Sequence, residues 1–115
     1  MEEVVIRRLS KEADGSGVDL IVMDTLPYPE IIHWTCITAR DLITKCARVE
    51  LLLIQARTEY ILISVELGSK ENTLTIIQDV YATGEYRIAA RFIGAGLADD
   101  LELYAYGIVV PSELT

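Results

Sequence analysis

Five residues within a nine-residue span carry side chains that could do chemistry: His33, Trp34, Thr35, Thr38 and Asp41. Asp41 has the group for a general base or a carboxylate nucleophile, and burial against apolar neighbours would raise its pKa. His33, the only histidine, could orient a substrate or supply a proton near neutral pH. Trp34 could floor or plug an apolar pocket. Thr35 and Thr38 could donate hydroxyl hydrogen bonds. Each has a plainer alternative. Asp41 could be a solvated helix carboxylate paired with Lys45 at i+4, and His33 could be bonded to a backbone carbonyl. Trp34 could be core or interface packing, and helical threonines often bond back to their own helix.

Other groups add little. Arg87 and Arg91 could meet phosphates or simply face outward from a strand. Tyr104 and Tyr106 share a strand face that would suit a neighbouring subunit. The serines at 10, 16, 64, 69 and 112 lack any Gly-x-Ser-x-Gly context, so no Ser-His-acid triad is argued. Cys36 and Cys46 stand in no metal-ligand spacing, and with a single histidine a structural zinc site is excluded. On one helix the two thiols would sit about 15 Å apart, too far for a disulfide, so both are expected reduced and buried. No metal and no cofactor is expected.

The spacing then suggests the elements that hold these residues. Val4 to Leu9 and Val18 to Met23 are short apolar runs around a turn containing Gly15 and Gly17, the pattern of a β-hairpin with a loose loop. Pro27 and Pro29 force an extended approach, and Pro29 and Glu30 suit the first turn of a helix. Ile32, Cys36, Ala39, Ile43, Cys46 and Ala47 recur at three- and four-residue spacing, which predicts one buried helical stripe. Residues 49 to 56 could extend the helix or open a strand; helix through about residue 55 is favoured, with Arg57-Thr58-Glu59 as the break.

After that the period is two. Ile61, Ile63, Val65 and Leu67 would share one strand face before a loop at Gly68 to Asn72. A second strand carries Leu74, Ile76, Gln78 and Val80 and turns at Gly84. Ile88, Ala90 and Phe92 oppose Arg87 and Arg91 on a third. Gly94 and Gly96 suggest a bulge or a close backbone approach. Leu101, Leu103, Ala105, Gly107 and Val109 finish the sheet before Pro111. Short connections predict an antiparallel meander.

Composition sets the bounds. At 115 residues there is room for a single domain, residues 1–115. The chain is 51% hydrophobic but only 7% aromatic, so the core is aliphatic, and the apolar surplus points to a partner subunit. With 10 Lys+Arg against 18 Asp+Glu the net charge is −8, which disfavours nucleic acid. No targeting segment is visible, and the apolar run Leu51 to Ile54 is far short of the roughly 20 residues that span a bilayer. A cytoplasmic location, away from membranes, is the expectation.

The order of hairpin, long helix and strands resembles the hotdog fold of the acyl-CoA thioesterase superfamily over Val4 to Val110. Ile31-Ile32-His33-Trp34-Thr35 stands where that family carries a His-Gly-Gly loop, although Trp34 and Thr35 replace both glycines. Asp41, eight residues beyond His33, is close to the family's helix acid. Asn72-Thr73-Leu74-Thr75, Ala82-Thr83-Gly84 and Leu103-Tyr104-Ala105-Tyr106-Gly107 resemble its later steps. The resemblance implies an α+β hotdog-like fold, one long central helix wrapped by an antiparallel sheet of about five to six strands. It also implies a homodimer or tetramer that hydrolyses a small or medium acyl-CoA. Asp41 and His33 would be catalytic there, with Trp34, Thr35 and Thr38 binding substrate. The alternative is a non-catalytic hotdog module that binds an acyl thioester or serves as a structural or interaction protein. Whether the chain is an enzyme at all stays open on the sequence.

Overall fold

The period-two alternation of the second half extends, in the folded chain, through the first half as well. The computed structural model describes residues 3–26, 30–43, 46–66, 73–76 and 79–110. Their strands are β1 (Glu3–Glu12), β2 (Val18–Val22), β3 (Ile31–Asp41), β4 (Arg48–Gln55), β5 (Thr58–Glu66), β6 (Thr73–Ile76), β7 (Val80–Thr83), β8 (Arg87–Ile93) and β9 (Asp100–Val109). There is no helix among the described residues. The expected α+β hotdog with a long central helix is therefore corrected to an all-β sandwich of two antiparallel sheets.

Strand pairing is nested. β4 and β5 form the innermost hairpin; β3 pairs with β6 and β7, β2 with β8, and β1 with β9. Further pairing of β9 with β3 and β8 with β4 completes two sheets, β1-β9-β3-β6 with β7 also on β3, and β2-β8-β4-β5. With β6 and β7 taken as pieces of one edge, this is the strand order of a jelly roll. Two expectations change with it. The β1–β2 hairpin is not a pair, because the two strands lie in different sheets. The meander is replaced by connections that cross between sheets, although every pairing is antiparallel.

The helix expectation failed over β3 for a definite reason. Its inward residues are Ile32 and Trp34, then Ile37, Ala39 and Asp41, all buried. The phase changes because Thr35 is an extra residue: Trp34 pairs with Gly107 and Cys36 with Tyr106. A bulge inserted into period two leaves a three-residue step, which imitates helical spacing. Cys36 faces outward at the half-buried surface, and Ile43 is exposed, so the helical stripe does not exist. The β-branched and aromatic content of Ile31-Ile32-His33-Trp34-Thr35-Cys36-Ile37-Thr38 already favoured strand.

Over residues 49–55 the favoured helix is overturned: the segment is strand β4, and Ala56 lies in the turn after it. β4 is central in its sheet and apolar on both faces. Val49 and Leu51 join the main core, whereas Leu52 and Ile54 pack on the outer face with Ala89, Leu20 and Val22. Such a doubly buried strand reads as a continuous apolar run. It turns into β5 through Ala56, whose φ of 53° is left-handed without the usual glycine. In β5 a bulge at Leu62 shifts the register, so Ile61 is exposed and does not share a face with Ile63 and Val65.

The single strand expected from Leu74 to Val80 is instead two, β6 and β7, both paired with β3, and Leu67 lies outside the described residues; the other turn and face assignments on described residues hold. Gly15 and Gly17 have positive φ, Ile88, Ala90 and Phe92 face the core, and so do Leu101, Leu103, Ala105, Gly107 and Val109. Gly94 is a close approach, with its N–H donating to the Gly17 carbonyl at 2.8 Å. Pro27 to Pro29, Lys45, Gly68 to Asn72, Gln78 and Pro111 lie outside the described residues. No helix is long and apolar enough to cross a membrane among the described residues.

Gly107 lets β3 and β9 meet at the bulge. A Cβ there would lie 2.8 Å from Trp34 Cε3, 3.0 Å from Ile32 Cγ2 and 3.1 Å from the His33 carbonyl. Gly107→Ala is therefore expected to cost roughly 1–3 kcal/mol through overpacking, measured by urea denaturation. A substitution within error of wild type would mean that β3 does not sit against β9 in this register.

Candidate functional site

β3 separates the residues that the sequence groups. His33 is near its start and faces outward; Asp41 is its last residue and faces inward, wholly buried. Eight residues at a rise of about 3.3 Å place them roughly 25 Å apart along the strand, on opposite faces. They are not brought together. Asp41 Oδ1 accepts the Ile43 N–H at 3.0 Å, so the carboxylate closes the turn that ends β3. Beside it Cys46 is buried, and its thiol is pushed above its ordinary value of 9.0, first by burial and then by the charge of Asp41.

The other expected site residues scatter in the same way. Trp34 is core, packed against Gly107. Thr35 is the bulge residue, and its hydroxyl donates to the Tyr106 carbonyl at 3.4 Å. Thr38 lies outward, 3.7 Å from the Cys36 sulfur. Both cysteines are free, Cys46 buried and Cys36 only half-buried. Among the described residues no group of three or more His, Cys, Asp or Glu is placed to hold a metal.

His33 finds different partners. Its Nε2 is 2.7 Å from Asp79 Oδ1, so that the ring N–H donates to the carboxylate. Its ring stacks on Tyr81 with centroids 4.3 Å apart and planes 14° from parallel. The register that pairs His33 of β3 with Tyr81 of β7 makes this contact. Cross-strand aromatic pairs of this kind stabilise a sheet edge.

Tyr81 also borders a cleft of about 570 Å³ lined by Ile31, Leu53, Tyr60, Ala82, Thr83 and Tyr86. Tyr60 comes from β5 and Tyr86 from the turn between β7 and β8; their rings are 6.4 Å apart and tilted by 46°. The cleft thus draws on β3 and β7 of one sheet and on β4 and the edge strand β5 of the other. Tyr60 is 47% and Tyr81 58% exposed, whereas Ile31, Leu53 and Ala82 supply apolar surface. Glu85, beside the cleft residue Thr83 (hydroxyl to Oε1, 3.5 Å) and within 3.4 Å of Gln55 Nε2, brings a carboxylate close to the lining. A cleft of this size, mostly apolar with a few hydroxyls, suits a small ligand.

The sequence carries one signal for these tyrosines, and it is compositional. Six tyrosines against one phenylalanine is an unusual ratio for aromatics serving only a core, because a buried phenol must find a hydrogen-bond partner. The juxtaposition itself depends on long-range pairing. No protein-family model and no curated protein sequence matches the chain.

A separate ionic chain crosses the outer face of the β2 sheet. Arg91 donates to Glu50 at 2.9 Å and to Glu59 at 2.6 Å. Ser64 donates to Glu50 at 2.7 Å and accepts from Arg48 at 2.8 Å. Arg48 also reaches Glu66 at 2.8 Å. Arg87 and Arg91 do face outward, and Arg91 is committed to this chain. The Ser64 hydroxyl, and then Arg91, hold the Glu50 carboxyl below its usual 4.5, and Arg91 is raised by Glu59 and Glu50.

A carboxylate with a lowered folded-state pKa stabilises the fold fully above the unfolded value. That contribution is lost as pH falls from near 4.5 through the folded value. Glu50→Gln should cost roughly 1–3 kcal/mol at neutral pH and flatten the stability profile below pH 4.5. Chemical denaturation at a series of pH values measures both. An unchanged acid limb in the variant would show that Glu50 carries none of the dependence.

Proposed function

We propose that this protein is a small-ligand binding module whose site is the tyrosine cleft lined by both sheets of the sandwich. The carrying observation is the convergence of Tyr60, Tyr81 and Tyr86 on one apolar cleft of about 570 Å³. Tyrosine offers a flat apolar face with little conformational entropy to lose, and its hydroxyl tolerates a wet rim. The ligand is a neutral or cationic molecule with a flat or methylated apolar face. Glu85 near the lining and the net charge of −8 oppose an anion, whereas the tyrosine faces attract a cation.

Binding is favoured over catalysis because the acid–base residues do not converge. Hydrolysis of an acyl thioester placed its carboxylate on a helix, and Asp41 instead ends a buried strand. Of the alternatives, an interaction module fits this reading, with the cleft as its recognition element.

The test is a titration followed by the ring signals of Tyr60 and Tyr86, using benzyl alcohol, methyl glucoside and benzyltrimethylammonium as probes. At least one probe should shift both rings saturably, and Tyr60→Ala or Tyr86→Ala should weaken it by roughly tenfold, about 1.4 kcal/mol. Rings that respond to none of the three probes, or binding that survives both substitutions, would contradict the proposal.

A further inference from the structure

Away from the cleft, on the outer face of the β1 sheet, one carboxylate is gripped by two arginines. Glu102 of β9 points outward, yet its side chain is only 7% exposed. Arg8 of β1 brings Nε to 2.8 Å and Nη2 to 2.7 Å from Oε2. From the other side, Arg40 of β3 brings Nε and Nη2 each to 3.1 Å from Oε1. The pairings Arg40 with Glu102 and Arg8 with Tyr104 put the three groups in adjacent rows.

One arginine is enough to neutralise one carboxylate. The second leaves a local charge of +1 on a protein of net charge −8. The two guanidinium groups carry ten N–H donors between them, of which four are directed at Glu102. The other six have no partner among the described residues, and both arginines keep solvent contact, with side chains 67% and 42% exposed. With Thr38, Tyr104 and Glu102 they line a depression of about 340 Å³. The buried carboxylate fixes two forks in advance, which removes much of the ordering cost that a free arginine meets on binding.

We infer that this depression is an oxyanion site, taking a phosphate or carboxylate group on the free edges of Arg8 and Arg40. Guanidinium edges match both groups by paired N–H donors, and the Thr38 and Tyr104 hydroxyls stand at the same depression to add donors. The site shares no lining residue with the tyrosine cleft, so either assignment can fail alone.

The experiment follows the Nε–H signals of Arg8 and Arg40 in the full chain by NMR. One arm adds sodium phosphate and the other sodium acetate, with ionic strength held constant by sodium chloride. Saturable shifts at both arginines in at least one arm are expected, and the arm that saturates names the ligand group. Arg8→Gln and Arg40→Gln should each weaken binding by roughly tenfold or more. Arg7→Gln, which removes a guanidinium whose one partner among the described residues is the Ile6 carbonyl, should leave it unchanged. Arg8→Lys and Arg40→Lys retain the charge on Glu102 if the glutamine variants fail to fold, and they should also weaken binding by losing the fork. Shifts that stay linear and match those of added chloride, or binding that Arg7→Gln weakens as much as Arg8→Gln, would overturn the inference.

Discussion

β3 carries one residue more than β9 where the two strands pair, and that residue, Thr35, sets both faces of the β1 sheet. Without it, the strand would have to expose either Ile32 and Trp34 or Ile37 and Ala39. Each large apolar side chain left in water would forfeit about 1.5–3 kcal/mol. The bulge lets all four stay inside. The arrangement also needs a partner with no side chain, because the Trp34 ring and the Ile32 branch occupy the space where a Cβ of Gly107 would be.

The outward residues follow from the same insertion. Before the bulge, His33 faces out beside Tyr81; after it, Cys36, Thr38 and Arg40 do, opposite Tyr106, Tyr104 and Glu102. One end of β3 therefore borders the tyrosine cleft, and the other presents Arg40 to the buried carboxylate. The inward phase consigns Asp41 to the interior, where it ends the strand by capping a turn. Fold and sites are thus consequences of one register. On the opposite sheet the ionic chain through Glu50 and Arg91 shares the outer face with the second apolar cluster of Leu52, Ile54 and Ala89. Its pairs tie the edge strand β5 to β4 and β8, which gives those charges a structural role.

In the second half, β8 and β9 were legible because their core-facing residues recur with period two, whereas the bulge at Leu62 broke that reading in β5. Phe92 and its neighbours, and the run from Leu101 to Val109, required only a period-two reading. The first half hid its strands in two ways. In β3 the bulge turned alternation into an apparent helical stripe, and in β4 burial on both faces removed alternation altogether. The β4–β5 turn falls at Ala56-Arg57, beside the break read at Arg57-Thr58-Glu59, although Ala56 takes a left-handed conformation without glycine. Of the candidate site residues, His33 lies next to the cleft residue Tyr81, with Asp79 and Tyr81 as partners instead of Asp41. The tyrosine cleft and the Arg8–Glu102–Arg40 cluster join residues far apart in sequence. Only the nested pairing of strands brings them together, and no local spacing encodes it.

The measurement that bears most directly on this account is the backbone NMR of residues 31–43. Cross-strand Hα–Hα contacts should pair β3 with β9 in the register Trp34–Gly107 and Cys36–Tyr106, with Thr35 skipped and strand-type Cα shifts throughout. Helical Cα shifts with i to i+3 contacts along Ile32 to Ile43, or an unbroken register through Thr35, would contradict it.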